Sequence, residues 1–291
     1  MPNYNKNIQS LKKILRSRNK PTKRCQTLAL IDGDIICYRC AAVCEDNDAE
    51  LARWQADELV TRILADTGAT GYKVFLSGEN NFRYEIYPEY KAHRRDKPKP
   101  KHLEFLREHL LVNHPSDMAD GIEADDSLGI ESYRLKSLGI PCIIASLDKD
   151  LLQLAGLHYN FVRREIREIG ELEGWKNFYL QLLIGDPADN IPGCPGIGKV
   201  KAPKVLLGTS GVSQMYMATL EAYTKANVPA TIMHRNAQLL YLKRAENDEW
   251  TPPKVELEAV PPSTCSESSK DISLEPTTES KTSGSPCGGT L

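Results

Sequence analysis

Three short acidic groups in this chain have the spacing of oxygen ligands for a hard cation. In the stretch LIGDPADNIPGCPGIGKVKAPKVL, which starts at Leu183, Asp186 and Asp189 stand three residues apart. Glu123, Asp125 and Asp126 fall together in IEADD, and Asp148 and Asp150 in SLDKD. Mg²⁺ is held by one or two carboxylates together with water and substrate phosphate oxygens, so paired acids of this kind suit it. After Asp189 come Gly193, Gly196 and Gly198, then Lys199, Lys201 and Lys204 at the start of an expected helix. A glycine turn leading into a helix offers free N–H groups to an anion such as a backbone phosphate. The combination suits metal-dependent hydrolysis of a phosphodiester. That chemistry needs no Ser or His nucleophile, and none of the six histidines has a clear partner in the sequence.

The acids must be brought together by the elements before them. TLALI, residues 27–31, is an apolar run that stops at Asp32-Gly33-Asp34 and reads as a buried parallel strand with Asp32 at its C-terminal end. Ligands of open α/β sheets bind at such ends. Residues 49–65 carry apolar positions at helical spacing, and residues 73–76 read as a second strand. IPCIIASL, residues 140–147, is another buried strand that delivers Asp148 and Asp150, with Asp148 as a helix N-cap the alternative. Residues 123–138 read as a helix on which Glu123 and Asp126 share a face while Asp125 points elsewhere. All three converge only if they lie at the helix start, beside a strand end. Helices are also expected over residues 175–184, 213–225 and 230–245, and a strand near residues 159–162.

Between these elements lies YEIYPEYKAHRRDKPKPK, residues 84–101, where Tyr, Lys and Arg mix as they do on surfaces that stack bases and follow phosphates. A solvated connector is the alternative. Residues 1–31 carry no acidic side chain, so the net charge of −2 is unevenly spread and a nucleic-acid-facing surface can still be positive. The basic start, residues 1–26, reads as a disordered arm, with a phosphate-touching arm or a mitochondrial transit peptide as alternatives. Residues 251–291, rich in Pro, Ser, Thr and Gly, read as a disordered tail. With 41% apolar residues the chain can bury a full core, and no apolar run approaches the roughly 20 residues of a membrane span. Eight cysteines without a disulfide-like framework point to a reducing, cytoplasmic setting. Cys37, Cys40 and Cys44 fall on one helical stripe that reads as a buried face rather than a metal site.

The order I-D-G-D, Y-K-x-x-R, E-A-D-D, D-K-D and G-D-x-x-D-N-I-P-G-x-P-G-I-G-x-x-x-A resembles the 5′-nuclease superfamily. That superfamily comprises flap endonucleases, the 5′-nuclease domain of bacterial DNA polymerase I, and phage 5′-to-3′ exonucleases, to which the compact spacing is most similar. The resemblance implies an α/β fold with a PIN-like parallel sheet over residues 27–172 and a helix-three-turn-helix subdomain over residues 173–250. It implies two Mg²⁺ ions, with Mn²⁺ as a substitute, held by Asp32, Glu123, Asp125 and Asp126 and by Asp148, Asp150, Asp186 and Asp189. Lys91 and Arg94 would stand in an arch over the scissile phosphate, with Tyr90 stacking on a base. Gly193 to Lys204 would grip double-stranded DNA, with K⁺ as an optional ion. The implied activity is a 5′-to-3′ exonuclease and 5′-flap endonuclease acting on DNA ends or flaps and on RNA/DNA hybrids, with protein partners unspecified. Two departures stand out. Gly78, with Glu79 beside it, occupies the place of a further acid, and Pro203 lies in the first turns of the expected phosphate-binding helix. The first departure motivates an alternative, a catalytically silent DNA-junction binder. A PIN-type ribonuclease is disfavoured by the glycine turn and its lysines.

Overall fold

The computed structural model describes residues 27–94 and 97–254; the arm at residues 1–26 and all of the tail beyond residue 254 lie outside the described residues. The described chain runs β1 (Leu28–Asp32), α1 (Gly33–Val43), α2 (Ala49–Thr67), β2 (Gly71–Ser77), α3 (Arg83–Ile86), α4 (Leu103–Asn113), β3 (Ser116–Ala119), α5 (Ala124–Ser137), β4 (Cys142–Ala145), β5 (Gly156–Asn160) and β6 (Glu165–Ile169). It continues through α6 (Glu171–Ile184), the two-residue strands β7 (Gly185–Asp186) and β8 (Ile191–Pro192), α7 (Ala202–Val205), α8 (Val212–Lys225) and α9 (Ala230–Leu240). The main sheet has the order β3-β2-β1-β4-β5-β6, parallel except for the last pair.

β1 is central because its residues are apolar on both faces, as a strand covered by helices on each side requires. Leu28 pairs with Gly71 of β2 on one side and with Cys142 of β4 on the other. One face of the sheet packs on α1, α2 and α4 through Ile36, Ile63 and Leu106, and this core takes in Cys37, Cys40 and Cys44. The thiol stripe is therefore packing, as its spacing suggested. The other face packs on α5 through Leu128 and Leu135. A third core, holding Phe178, Leu182, Tyr223 and Trp250, lies under α6, α8 and α9 and includes Tyr90.

Three of the helix starts are set by acids. Asp32 caps α1 by accepting from the Ile35 amide at 3.1 Å, and Asp48 caps α2 through Leu51 at 2.8 Å. Glu123 caps α5 in a reciprocal box with Asp126, so the IEADD acids do lie at a helix start. Elements that were not anticipated include α4, β3 and the exposed edge strand β6, together with the short α3, β7 and β8. The helix expected over residues 230–245 ends at Leu240, and residues 241–250 run without regular structure. Among the described residues no helix is long and apolar enough to cross a membrane.

Candidate active site

Strands β1, β2 and β4 end at one edge of the sheet, and an open cleft of about 950 Å³ lies there, lined by Asp32, Asp34, Glu123, Asp125 and Asp148 among others. Asp32 is 2% exposed. Its two carboxylate oxygens accept from the Ile35 amide and, at 2.6 Å, from the Ser146 hydroxyl. Burial pushes its carboxyl up to about 7; the two hydrogen bonds oppose the rise, and the nearby charges of Asp34 and Asp148 add to it. Asp125 is held well above the ordinary carboxylate range by burial and then by Asp32, Asp148 and Glu123, against Lys91. Asp32, Glu123, Asp125 and Asp148 thus form one mutually repelling group.

Asp148 also belongs to a second group. Its Oδ1 accepts from the Asp150 amide at 2.8 Å, a local turn two residues long, while Lys149 holds the cap position of the 3₁₀ turn Asp150–Gln153; Asp148 is therefore not the helix cap and faces the cleft. Burial, then Asp148 and Asp186, push the Asp150 carboxyl up to about 7, against Lys149. Asp186 is 5% exposed and accepts from the Ala188 amide at 2.8 Å.

Asp126 leaves the expected ligand set. It is fully buried, and both of its oxygens accept from the Arg83 guanidinium, at 2.6 and 2.9 Å. Arg83 is 1% exposed and also donates to the carbonyls of Leu239 and Tyr241, while the Lys243 amide donates to Asp126. Burial alone would raise the Asp126 carboxyl, but the guanidinium holds it below the ordinary range. At a helix start residues 125 and 126 point in different directions, so Asp125 faces the cleft and Asp126 faces the segment after α9.

Asp189 lies between the two groups and is taken up by cations. It accepts from Arg94 at 2.6 Å and from the Tyr90 hydroxyl at 3.0 Å, and the Lys91 ammonium is 3.7 Å away. Lys91 donates to Glu123 at 2.5 Å, and Asn81 donates to the same oxygen at 2.8 Å. Burial would lower the Lys91 ammonium, but Glu123 and Asp189 raise it above its ordinary value. Lys91 itself adopts φ +53°, its amide donating to the Asp189 carbonyl.

Tyr90 does not have the expected stacking face. It is 1% exposed, its ring meets Tyr84 edge-on, and its hydroxyl bridges Glu123 and Asp189. The aromatic rings at the cleft wall are Tyr38 and Tyr84, 46% and 41% exposed. At Gly78 a Cβ would run into the Ala119 carbonyl oxygen, so this backbone admits no acid there, while Glu79 lines the cleft. Asp34 is the second acid of the I-D-G-D motif and has a structural part. Its carboxylate accepts from the Ser77 amide at 2.9 Å and pairs with Arg107.

Below the cleft, Gly185 (φ +79°) and Gly193 press backbone to backbone, and a Cβ on either would collide with the other's chain segment. That contact closes the β7–β8 ladder, which pairs Asp186 with Ile191. The turn beyond it exposes Gly196, Gly198, Lys199, Lys201 and Lys204. The helix expected there is a single turn, α7, with Pro203 at its start, where proline is tolerated. So short a helix adds little dipole, and the exposed turn and its lysines are what an anion would meet.

A PIN-like sheet with buried acids at its strand ends and a glycine turn beneath them defines an acidic-cleft, nuclease-type architecture. The family described as 5′-3′ exonuclease, N-terminal resolvase-like domain, matches residues 27–176, and the chain belongs to it. DNA polymerase I of Bacillus caldotenax is 30% identical over 256 residues, covering 80% of this chain and 29% of that protein. A 5′-3′ exonuclease of Buchnera aphidicola is 32% identical over 157 residues, covering 49% of this chain and 54% of that protein. The chain thus spans only part of the length of these relatives. Among solved structures, the bacteriophage T5 flap endonuclease in a pseudo-enzyme-product complex with DNA and metal ions aligns with a TM-score of 0.60 at 17% identity, over 74% of this chain and 89% of that one. The T5 5′-exonuclease with bound zinc gives 0.60 at 19% identity over the same shares.

Proposed function

We propose that the protein is a divalent-metal-dependent, Mg²⁺-using 5′-to-3′ exonuclease and 5′-flap endonuclease that hydrolyses phosphodiesters of DNA, and of RNA in RNA/DNA hybrids. The observation that carries this reading is the crowding of Asp32, Asp125, Asp148, Asp150 and Asp186 at one sheet edge, with Asp32 and Asp150 pushed up to about 7 by burial and by each other's neighbours. Such an arrangement costs stability unless cations neutralise it, and an all-oxygen donor set suits Mg²⁺. Asp32, Glu123, Asp125 and Asp148 would hold one ion, and Asp148, Asp150 and Asp186 the other. When bound, the ions would neutralise the phosphodiester and activate water for in-line attack.

The remaining work falls to side chains. Lys91 and Arg94, now paired with Glu123 and Asp189, are placed to turn their charge onto a phosphate where negative charge grows. Tyr84 and Tyr38 offer stacking faces in place of Tyr90. Gly196, Gly198, Lys199, Lys201 and Lys204 would hold the duplex backbone, a contact that carries affinity without sequence preference. The products would be a 5′-phosphate and a 3′-hydroxyl. A 5′-flap duplex labelled at both ends tests the proposal: cleavage with Mg²⁺, none with EDTA and none with Asp148→Asn is the expected result. The lack of room for an acid at Gly78 supports a second reading, a junction binder without catalysis. Tight flap binding without Mg²⁺-dependent cleavage would establish that reading instead.

A further inference from the structure

At the other end of the sheet two histidines of this chain have a partner after all. Asp57 on α2 meets His109 on α4 and His114 in the turn before β3: the Nε2 atoms of the two rings lie 2.6 and 2.9 Å from the same Asp57 Oδ1. One ligand atom from each of the three residues lies within 4.8 Å of the other two. The rings stand edge to face at 5.5 Å, and the histidine side chains are 8% and 10% exposed. Asp57, at 36%, leaves one side open to water. Tyr72, near the start of β2, touches this cluster, whereas Ser77 at the strand's end lines the cleft. Five residues of strand, roughly 16 Å, separate the two.

We propose that Asp57, His109 and His114 form a second metal site, built for a borderline dication such as Zn²⁺ and distinct from the acidic cleft. Two imidazoles, one carboxylate and a water complete a tetrahedral Zn²⁺ shell. Bonds of about 2.0–2.1 Å space tetrahedral donors about 3.3 Å apart, so the carboxylate oxygen needs to open from its present contacts of 2.6 and 2.9 Å by about 0.7 and about 0.4 Å, with the two ring nitrogens settling to the same spacing. The groups behind the rings match as well. His114 Nδ1 lies 3.0 Å from the Tyr72 hydroxyl, and His109 Nδ1 lies 3.1 Å from the Asn113 amide. A hydroxyl and an amide can each donate or accept, so both rings can carry their proton on Nδ1 and present an Nε2 lone pair while Nδ1 keeps a partner. For Asn113 this means turning its amide and giving up its bond to the His109 carbonyl. Arg53, 3.7 Å from Asp57 Oδ2, opposes a cation there, but it already holds Glu50 at 2.7 Å and would keep that partner. A bound ion would clamp α2 to the α4–β3 corner.

The test uses the full chain, stripped of metal and then kept in a large excess of Mg²⁺ so that the oxygen-only cleft is occupied. Zn²⁺ is added in the presence of a chromophoric zinc indicator, and Co²⁺ replaces it for absorption spectra. The expected result is one Zn²⁺ equivalent per chain taken from the indicator, a rise in thermal midpoint, and intense tetrahedral Co²⁺ bands. Asp57→Asn and His114→Gln should each weaken binding on the order of tenfold or more, and Tyr72→Phe by about tenfold, as for other groups that orient a ligand. Asp57→Asn keeps the shape of the cluster, so it remains informative if His114→Gln folds poorly. No uptake in Mg²⁺ excess, weak octahedral Co²⁺ bands, or uptake lost in Asp148→Asn but retained in Asp57→Asn would each overturn the proposal. Because it makes no use of DNA cleavage, its failure is separable from failure of the nuclease reading.

Discussion

The floor of the acidic cleft and the joint behind it are built from adjacent residues of one helix start, and they treat charge in opposite ways. Asp125 faces acids and is held toward its protonated form; Asp126, one residue on, faces Arg83 and is held ionised. The joint is closed chemistry, a forked ion pair whose spare donors end on the Leu239 and Tyr241 carbonyls. Helix α5 lets that segment approach at Gly129, where a Cβ would meet the Lys243 carbonyl oxygen. The cleft is open chemistry, with more carboxylates than the protein neutralises. A fold keeps such a cluster when something outside the chain completes it. The difference separates residues that hold the molecule together from residues that wait for a ligand.

The largest expected effect lies on the open side. Asp148 belongs to both acid groups, so Asp148→Asn should lower flap cleavage by about a thousandfold or more, the rate equivalent of losing several kcal/mol of charge stabilisation, while the thermal midpoint holds or rises. On the closed side, Arg83→Ala should strand a buried carboxylate and cost about 3–5 kcal/mol in urea unfolding. The sharpest version pairs Asp125→Asn with Asp126→Asn in metal-free protein: the first should be neutral or stabilising, the second destabilising. Equal losses would dissolve the distinction between the two sites.

Acidity gives a smaller and signed effect. Asp32 and Asp150, raised to about 7, hold protons in the folded state that the unfolded chain releases near pH 4. Their contribution therefore falls as pH rises from about 4 through 7. Asp126, held below the ordinary range, contributes above about pH 4 and loses that contribution as pH falls through its lowered value. Thermal midpoints across this window should decline toward neutrality in EDTA and flatten with Mg²⁺; an identical profile in both conditions would remove the cations from the account. The smallest effect is expected at the exposed turn, where Lys201→Ala should weaken duplex binding and reduce the salt slope by about one, with stability unchanged.

Most of the sheet was legible because buried parallel strands are apolar runs that end in acids, and TLALI-D and IPCIIASL-D announce themselves. β6 was not, because EIREI is an edge strand with four of its five residues in water, and its two isoleucines, three apart among charges, carry no period-two pattern. The acid clusters were legible as clusters, but the split between Asp125 and Asp126 was not. What decides it is a guanidinium 43 residues upstream and an amide 117 residues downstream, and local spacing carries no trace of either. Tyr90 misled for a similar reason: among Lys and Arg an aromatic ring suggests stacking, yet the third core closes over it. The Asp57 cluster was invisible because its members are 52 and 57 residues apart and meet only through helix packing.

Gly185 and Gly193 leave no gap between the strand that carries Asp186 and the turn that carries the lysines. Strand and turn are thus joined main chain to main chain: under the proposed function, a helix of nucleic acid resting on the turn would have its distance to the carboxylate set by backbone rather than by side-chain adjustment. A single methyl at either glycine would wedge them apart, so on that reading the place of a cut would be a ruler marked in main-chain atoms.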